Sequence, residues 1–341
     1  MPKTLTNKQL DLMVPRIFSI ETVLGCNLRC PECAIGGGKV SRKRGCLDFD
    51  SFKVIADKIR PFADYVYLHL WGEPFLNKDI FRIIHYASEF ARTHISTNAQ
   101  MVTQEMAEEL IRSGVSDLLL SIDGLSQEVY EKYRRYGSVS KALQVLEWLQ
   151  EYNLKYYGIT AFTQKSRRLL RRFFPSLRQR GVNISPQFIV FKHNQHEMRS
   201  FGKYCRRLGL KPAFKAPYFL DGVQLVHGDD PKYHRSRFRD LASVSEAMTT
   251  CSSPRDGFTI LLDGSVVGCC YDYNGTYVFG NIFKQEVLEI WNSPGYREFR
   301  HSILTGSPPE LCLKDCLLYI LEPREPNQNM IDGTKAAPLD K

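Results

Sequence analysis

Three cysteines stand at C-x3-C-x2-C spacing in Gly25-Cys26-Asn27-Leu28-Arg29-Cys30-Pro31-Glu32-Cys33, just after the first strand-like apolar run. Three thiolates this close can grip three corners of an iron–sulfur cube, and with no fourth cysteine at ferredoxin spacing one iron stays open to bind something else. An open iron is a reactive iron. The bland reading of the same residues is a structural zinc knot, which wants four closed ligands and would recruit Cys46 as the fourth. A second group, Cys251, Cys269, Cys270, Cys312 and Cys316, lies far downstream. The segment Thr4 to Asp11 is polar and no long apolar core follows Lys3, so a secretory signal is not expected and the cytoplasm is the default address. Ten cysteines in that compartment argue for metal or redox use over a disulfide framework, and two groups suggest two metal sites.

Three polar motifs fall where other strand-like runs end. Trp71-Gly72-Glu73-Pro74 joins a residue that permits close backbone approach to a carboxylate able to accept a hydrogen bond from an ammonium group. Ser96-Thr97-Asn98 offers hydroxyl and amide groups suited to a ribose. Ser121-Ile122-Asp123-Gly124 is followed by Tyr130-x-x-Tyr133-Arg134-Arg135-Tyr136-Gly137. Each alone reads as a turn, a helix cap or a surface charge. At successive strand ends they read as one ligand site.

The elements that must hold these groups alternate. Residues 16–24 form a first strand, and Phe52, Ile55, Ala56 and Ile59 recur at helical spacing before Pro61. Strands follow at 65–70, 94–97, 117–122, 156–162 and 184–191. Helices lie between them, one opened by Thr103 and closed near Gly114, others around 126–133 and 141–149, and a basic one ending near Gly181. Six such units imply an α/β fold with a parallel sheet and right-handed crossovers. In parallel α/β folds the chemistry sits at the carboxyl ends of the strands. After about residue 210 the pattern changes to a β-hairpin, residues 257–262 and 265–270 around Asp263-Gly264, then a helix carrying Val287, Leu288 and Trp291.

The cysteine spacing resembles that of the radical S-adenosylmethionine (SAM) enzymes. In that family SAM chelates the open iron through its amino and carboxylate groups, and one electron cleaves it to a 5'-deoxyadenosyl radical. The resemblance implies a partial (β/α)6 TIM-like barrel, with Cys26, Cys30 and Cys33 as ligands of the catalytic 4Fe-4S cluster. Gly72, Glu73 and Pro74 match the family's Gly-Gly-Glu-Pro segment, which holds the SAM amino group; Trp71 replaces its first glycine. Thr97 and Asn98 fall at the ribose position. Ser121 and Arg134, with Arg135 the alternate, match the residues that hold the SAM carboxylate, and Asp123 joins the same cofactor-binding set. Glu32 stands where the family often has an aromatic residue near the adenine, so adenine contacts are expected elsewhere, such as the backbone near Gln187 to Val190. Cys251-x12-Gly264-x4-Cys269 with a later C-x3-C resembles the SPASM domain, more closely its one-cluster "twitch" form. That implies one auxiliary 4Fe-4S cluster on Cys251, Cys269, Cys312 and Cys316, with Cys270 a substitute ligand or an unligated thiol. Structural zinc at these residues is the bland alternative. The expected organisation is a barrel over 14–210, an auxiliary domain over 211–321 and a loose tail over 322–341.

Composition bounds the function. With 341 residues, 43% hydrophobic and 24% charged, the chain can bury a sizeable core, and no run approaches the roughly 20 apolar residues of a membrane span. The net charge of +9 favours an anionic partner, but no aromatic-basic or helix-turn-helix signature points to nucleic acid. A reducing flavodoxin or ferredoxin is the partner the resemblance implies. The substrate expected first is a small molecule such as a sugar, aminocyclitol or other metabolite, with the auxiliary cluster accepting an electron in a net oxidation. Peptide or protein maturation stands second, by thioether formation or side-chain oxidation. A non-catalytic iron–sulfur electron carrier or zinc-binding module is the reading from another class, and it predicts no need for Glu73 or Arg134.

Overall fold

The computed structural model describes residues 13–158, 181–218, 225–234, 236–238, 251–314 and 319–321. Its β-branched and aromatic runs form one sheet. Strands β1 (Ile17–Ile20), β2 (Tyr65–Tyr67), β3 (Arg92–Thr97), β4 (Asp117–Ser121), β5 (Asn183–Ile189) and β6 (Ala213–Lys215) lie side by side in chain order. Every neighbouring pair is parallel. Helices α1 (Phe49–Ile59), α2 (Ile80–Ser88), α3 (Gln104–Arg112), α4 (Gln127–Tyr133), α5 (Val139–Tyr157) and α6 (Met198–Arg207) make the crossovers. This is the expected α/β partial barrel of six units.

Local chemistry starts and stops these helices. Asp48 caps α1, accepting from the Ser51 amide at 2.8 Å, and the buried stripe is Phe52, Ile55, Ala56 and Ile59, as the periodicity predicts. Each large apolar side chain on that stripe contributes about 1.5–3 kcal/mol by leaving water. Thr103 caps α3 through the Met106 amide at 3.2 Å.

One strand is not where the sequence reading puts it. Tyr156 and Tyr157 form the last turn of α5, a 19-residue helix closed by Gly158 at φ 58°. The β propensity of two tyrosines yields there to continuation of an established helix with a left-handed glycine cap. Residues 159–162, and the basic helix expected before Gly181, lie outside the described residues. No further strand fits between β4 and β5, because Asp117 to Ser121 pair directly with Asn183 to Gln187. The sixth strand is β6, past residue 210.

The downstream segment extends the same sheet. Strand β7 (Gly257–Ile260) pairs in parallel with β1, Ile17 opposite Gly257, and β8 (Ser265–Val267) and β9 (Val278–Asn281) follow antiparallel. The expected hairpin is present, with Gly264 at φ 81° in its turn, and β9 makes it a three-stranded meander. Short helices α7 (Ser253–Asp256), α8 (Val287–Trp291), α9 (Pro294–Leu304) and α10 (Glu310–Lys314) pack around it. Trp291 is fully buried, its indole N–H donating to the Met13 carbonyl at 2.7 Å. Among the described residues no helix is long and apolar enough to cross a membrane. The expected tail, 322–341, lies outside the described residues.

Candidate active site

The cysteine loop leaves the carboxyl end of β1 and is pinned to the segment that leaves β2. Gly25 and Gly72 form a parallel bridge, and the Glu73 amide donates to the Gly25 carbonyl at 2.9 Å. Gly72 is required by this approach, since a Cβ there would lie 2.4 Å from the Val23 carbonyl oxygen. Gly36 closes the other side: its Cβ would fall 2.4 Å from the Cys30 carbonyl oxygen. Arg29 holds the loop by donating to the carbonyls of Cys26 at 3.0 Å and Leu28 at 3.2 Å. Cys30 is buried, with Leu28, Tyr133 and Phe191 packed about it and Cys26 and Cys33 at the edge of that apolar group.

Glu73 is 1% exposed, and its carboxylate accepts from the Thr97 hydroxyl at 2.7 Å and the amides of Asn98 at 2.8 Å and Phe75 at 3.2 Å. Burial raises its pKa to about 6 despite these donors. Pro74 opens the short helical turn that follows. Asn98 is placed by a tight turn in which Ala99 takes φ 65°, a conformation that costs a non-glycine residue about 1 kcal/mol. Its side-chain amide donates to Asn27 at 2.9 Å and points at the Cys26 sulfur at 3.5 Å. The strain therefore serves two contacts at once.

Arg134 and Arg135 part company. Arg134 is buried, its Nε donating to Asp123 Oδ2 at 2.6 Å and its Nη1 lying 3.7 Å from the Cys30 sulfur. Arg135 is exposed. Asp123 is 0% exposed and also accepts from the Ile189 amide at 2.6 Å, so its carboxylate orients the guanidinium. Ser121 is buried at the end of β4, two residues before it. The Gln187 carbonyl and the Val190 amide, near the expected adenine position, are engaged with Ile122 and Lys215. Glu32 is 4% exposed.

This donor set suits a cluster. Burial pushes the thiols of Cys26 and Cys30 up from their ordinary range, with Arg134 pulling Cys30 back, so thiolates at this depth need a cation beside them. N–H groups of Asn98 and Arg134 aimed at sulfur are the hydrogen bonds that tune such centres. Cys46 is exposed, with its sulfur directed at the Leu76 carbonyl.

The second cysteine group also comes together. Cys251, Cys269, Cys270 and Cys312 line one cavity of about 190 Å³, closed by Ile303 and Leu311. The hydrogen bond with the neighbouring Cys270 thiol, and then burial, hold the Cys269 thiol well above its usual range. Cys316 lies outside the described residues.

Beside the second group, inside the barrel, is a cavity of about 380 Å³. Ile17 and Ser19 of β1, Tyr67 of β2 and His69 just beyond it, and Gly257 and Thr259 of β7 line it from the barrel; Trp71, Cys270 and Tyr271 also line it. The His69 and His94 rings meet at 5.2 Å, tilted by 44°, and burial depresses both, to about 3 and about 4, so both imidazoles are neutral at physiological pH. The Trp71 indole N–H donates to the Cys270 carbonyl at 2.7 Å, with the Tyr271 and Tyr273 rings against its edge. Asp272 caps its own loop, accepting from the amides of Thr276 and Tyr277.

Sequence reasoning missed Glu21 and Arg42. Glu21 is 0% exposed and meets Arg42 in a bidentate pair, both contacts at 2.7 Å, while Arg42 Nε donates to the Tyr273 carbonyl. The pair joins three segments far apart in the chain, and no periodic pattern marks it.

Comparison with known proteins adds two kinds of match. The radical SAM superfamily model matches residues 20–170, and an iron–sulfur cluster-binding domain, SPASM, matches 251–317. Fe-coproporphyrin III synthase of Methanosarcina barkeri is 33% identical over 78% of this chain and 71% of its own length. The chain belongs to the radical SAM superfamily. This radical SAM protein is also 27% identical to the AdoMet-dependent heme synthase of the same organism, over 84% of this chain and 85% of that one. Mycofactocin maturase MftC of Mycobacterium tuberculosis is 28% identical over 90% and 78%. In fold, Streptococcus suis SuiB bound to S-adenosylmethionine superposes with a TM-score of 0.62 at 15% identity, over 84% of this chain and 68% of that one. The cofactors of the radical SAM protein are accordingly a 4Fe-4S cluster, SAM and an auxiliary cluster.

Proposed function

We propose that this radical SAM enzyme oxidises a small molecule held in the barrel cavity that Cys270 of the second cysteine group helps to line. When bound, the cluster and SAM supply a one-electron cleavage that yields a hydrogen-abstracting 5'-deoxyadenosyl radical. Cys26, Cys30 and Cys33 would hold that cluster. Glu73 receives the SAM ammonium, Arg134 and Ser121 its carboxylate, and Thr97 and Asn98 set the Glu73 carboxylate and the Cys26 loop in place. Cys251, Cys269, Cys312 and Cys316 would hold the auxiliary cluster, which would supply a one-electron acceptor for a net oxidation. The protein's own part is to position these groups and to keep water away, through Leu28, Tyr133 and Phe191.

The observation that carries this reading is the 380 Å³ cavity, walled by the barrel on one side and by Cys270 and Tyr271 on the other. Its volume suits a small ligand, and a substrate there meets Cys270 of the second cysteine group. Two relatives named for tetrapyrrole products agree with a small-molecule substrate. Peptide maturation is the second reading, favoured by the mycofactocin maturase match over 90% of the chain. The cytoplasm, with its reduced thiols, is the compartment this chemistry needs.

The test is anaerobic. Reconstituted protein with SAM and dithionite should form 5'-deoxyadenosine, and Cys26→Ala, Cys30→Ala and Cys33→Ala should abolish it. Full cluster loading without any cleavage product, with and without cell metabolite extract, would favour an electron carrier. Deuterium transfer into 5'-deoxyadenosine from labelled metabolites or labelled peptide separates the two substrate classes.

A further inference from the structure

We infer that the barrel cavity takes a small organic cation, so that the substrate is a molecule carrying a protonated amine, with Asp256 as its counter-charge. The inference rests on the radical SAM reading above and names the substrate class of that same cavity.

Local charge here runs against the charge of the chain. The protein carries +9, yet of the described residues that line this cavity the one charged at neutral pH is Asp256, and no lysine or arginine is among them. Two cations act from behind the wall: the charge of Lys215 reaches His69 and that of Arg255 reaches Asp256, but neither side chain lines the space. Burial raises the Asp256 carboxyl from its ordinary range against the pull of Arg255, which marks a carboxylate partly withdrawn from water. An anion brought into this space would meet that carboxylate and no lining cation. An ammonium would offset the cost of holding it there.

The rings add to the same selection. Trp71 and Tyr271 line the cavity, and the one polar hydrogen of the indole is already committed to the Cys270 carbonyl at 2.7 Å. What Trp71 offers a ligand is therefore its π face, which attracts cations. Tyr271 meets it at 6.5 Å and 63°, and Tyr273 at 5.5 Å and 75°, so neither tyrosine stacks over it. Ser19 and Thr259 are directly opposite one another in the register of β1 and β7, and both line the cavity. Their hydroxyls are neutral acceptors suited to the N–H groups of an ammonium.

The experiment uses three probes of one shape, cyclohexylamine, cyclohexanol and cyclohexanecarboxylate, which at neutral pH are a cation, a neutral molecule and an anion. Each is titrated anaerobically into the reconstituted holoenzyme by calorimetry, with SAM present to fill its own site and no reductant. Cyclohexylamine should bind about tenfold more tightly than cyclohexanol, and cyclohexanecarboxylate more weakly than either. Asp256→Asn should lower the affinity for the amine about tenfold and leave that for cyclohexanol unchanged; Tyr271→Leu should cost the amine about threefold. Carboxylate bound as tightly as amine overturns the proposal, as does an amine preference that survives intact in Asp256→Asn, or holoenzyme that binds none of the three. Should Asp256→Asn fail to fold, the ranking of the probes on wild type decides, since equal affinity for all three also overturns it. SAM cleavage that fails in wild type while the amine ranking holds would instead sink the enzymatic reading and leave the cation site standing.

Discussion

Glu73 shows how a single buried carboxylate is prepared for a cationic ligand. Three donors hold it in place, and burial still lifts it to about 6. Because the folded pKa lies above the unfolded one, the ionised side chain costs the apoprotein about 2 kcal/mol at neutral pH, a cost that disappears as pH falls below the unfolded value. A SAM ammonium would offset it. SAM affinity, measured by equilibrium dialysis, should therefore weaken as pH falls through about 6, and Glu73→Gln should lose that pH dependence together with about tenfold in affinity. Arg134 is the second such residue. Arg134→Ala leaves Asp123 buried without its partner and should cost about 3–5 kcal/mol in denaturant unfolding. Arg134→Lys keeps the charge but cannot reach both Asp123 and the Cys30 sulfur, and should recover only part of the loss.

At the scale of elements, the site depends on how closely two strand ends approach. Gly72→Ala would drive a methyl into the Val23 and Gly25 carbonyls, and the cysteine loop would have to move away from β2. Reconstituted Gly72→Ala should lose the iron of one cluster and keep that of the other, as counted against protein by metal analysis. Trp71, in place of the family's glycine, ties the segment after β2 to the Cys270 carbonyl. Trp71→Phe removes that bond, worth about 1 kcal/mol, and should shift the auxiliary cluster's EPR signal while dithionite-driven SAM cleavage persists. Elements marked by strong local pattern were legible from sequence: α1 by its stripe, α3 by Thr103, the hairpin by Asp263-Gly264. The β6 strand was not, because three residues after a proline leave too short a pattern, and its place is set by β5 beside it. The cysteine spacing singled out the loop after β1. The Glu21–Arg42 pair, the Asn98 contact to Cys26 and the inward turn of Arg134 rather than Arg135 depend on distant segments meeting, which local periodicity does not encode.

The whole molecule is bound together by contacts that ignore the expected division near residue 210. Arg42 connects the end of β1, the loop after the cysteines and the Tyr273 loop, and Asn274 accepts from Ser41 in the same seam. Arg42→Met strands Glu21 as an unpaired buried charge, which should lower stability by about 3–5 kcal/mol. Scanning calorimetry should show one transition moving to lower temperature, and a barrel transition left in place while a second one shifts would refute this coupling. The parallel pairing of β7 with β1 has a consequence for synthesis of the chain. Until residue 257 has left the ribosome, the strand that leads into the cysteine loop has a bare edge, ready to pair with another nascent chain. The growing barrel is thus most exposed to misassembly, and its cysteine loop least enclosed, in the interval between the emergence of β6 and the emergence of β7.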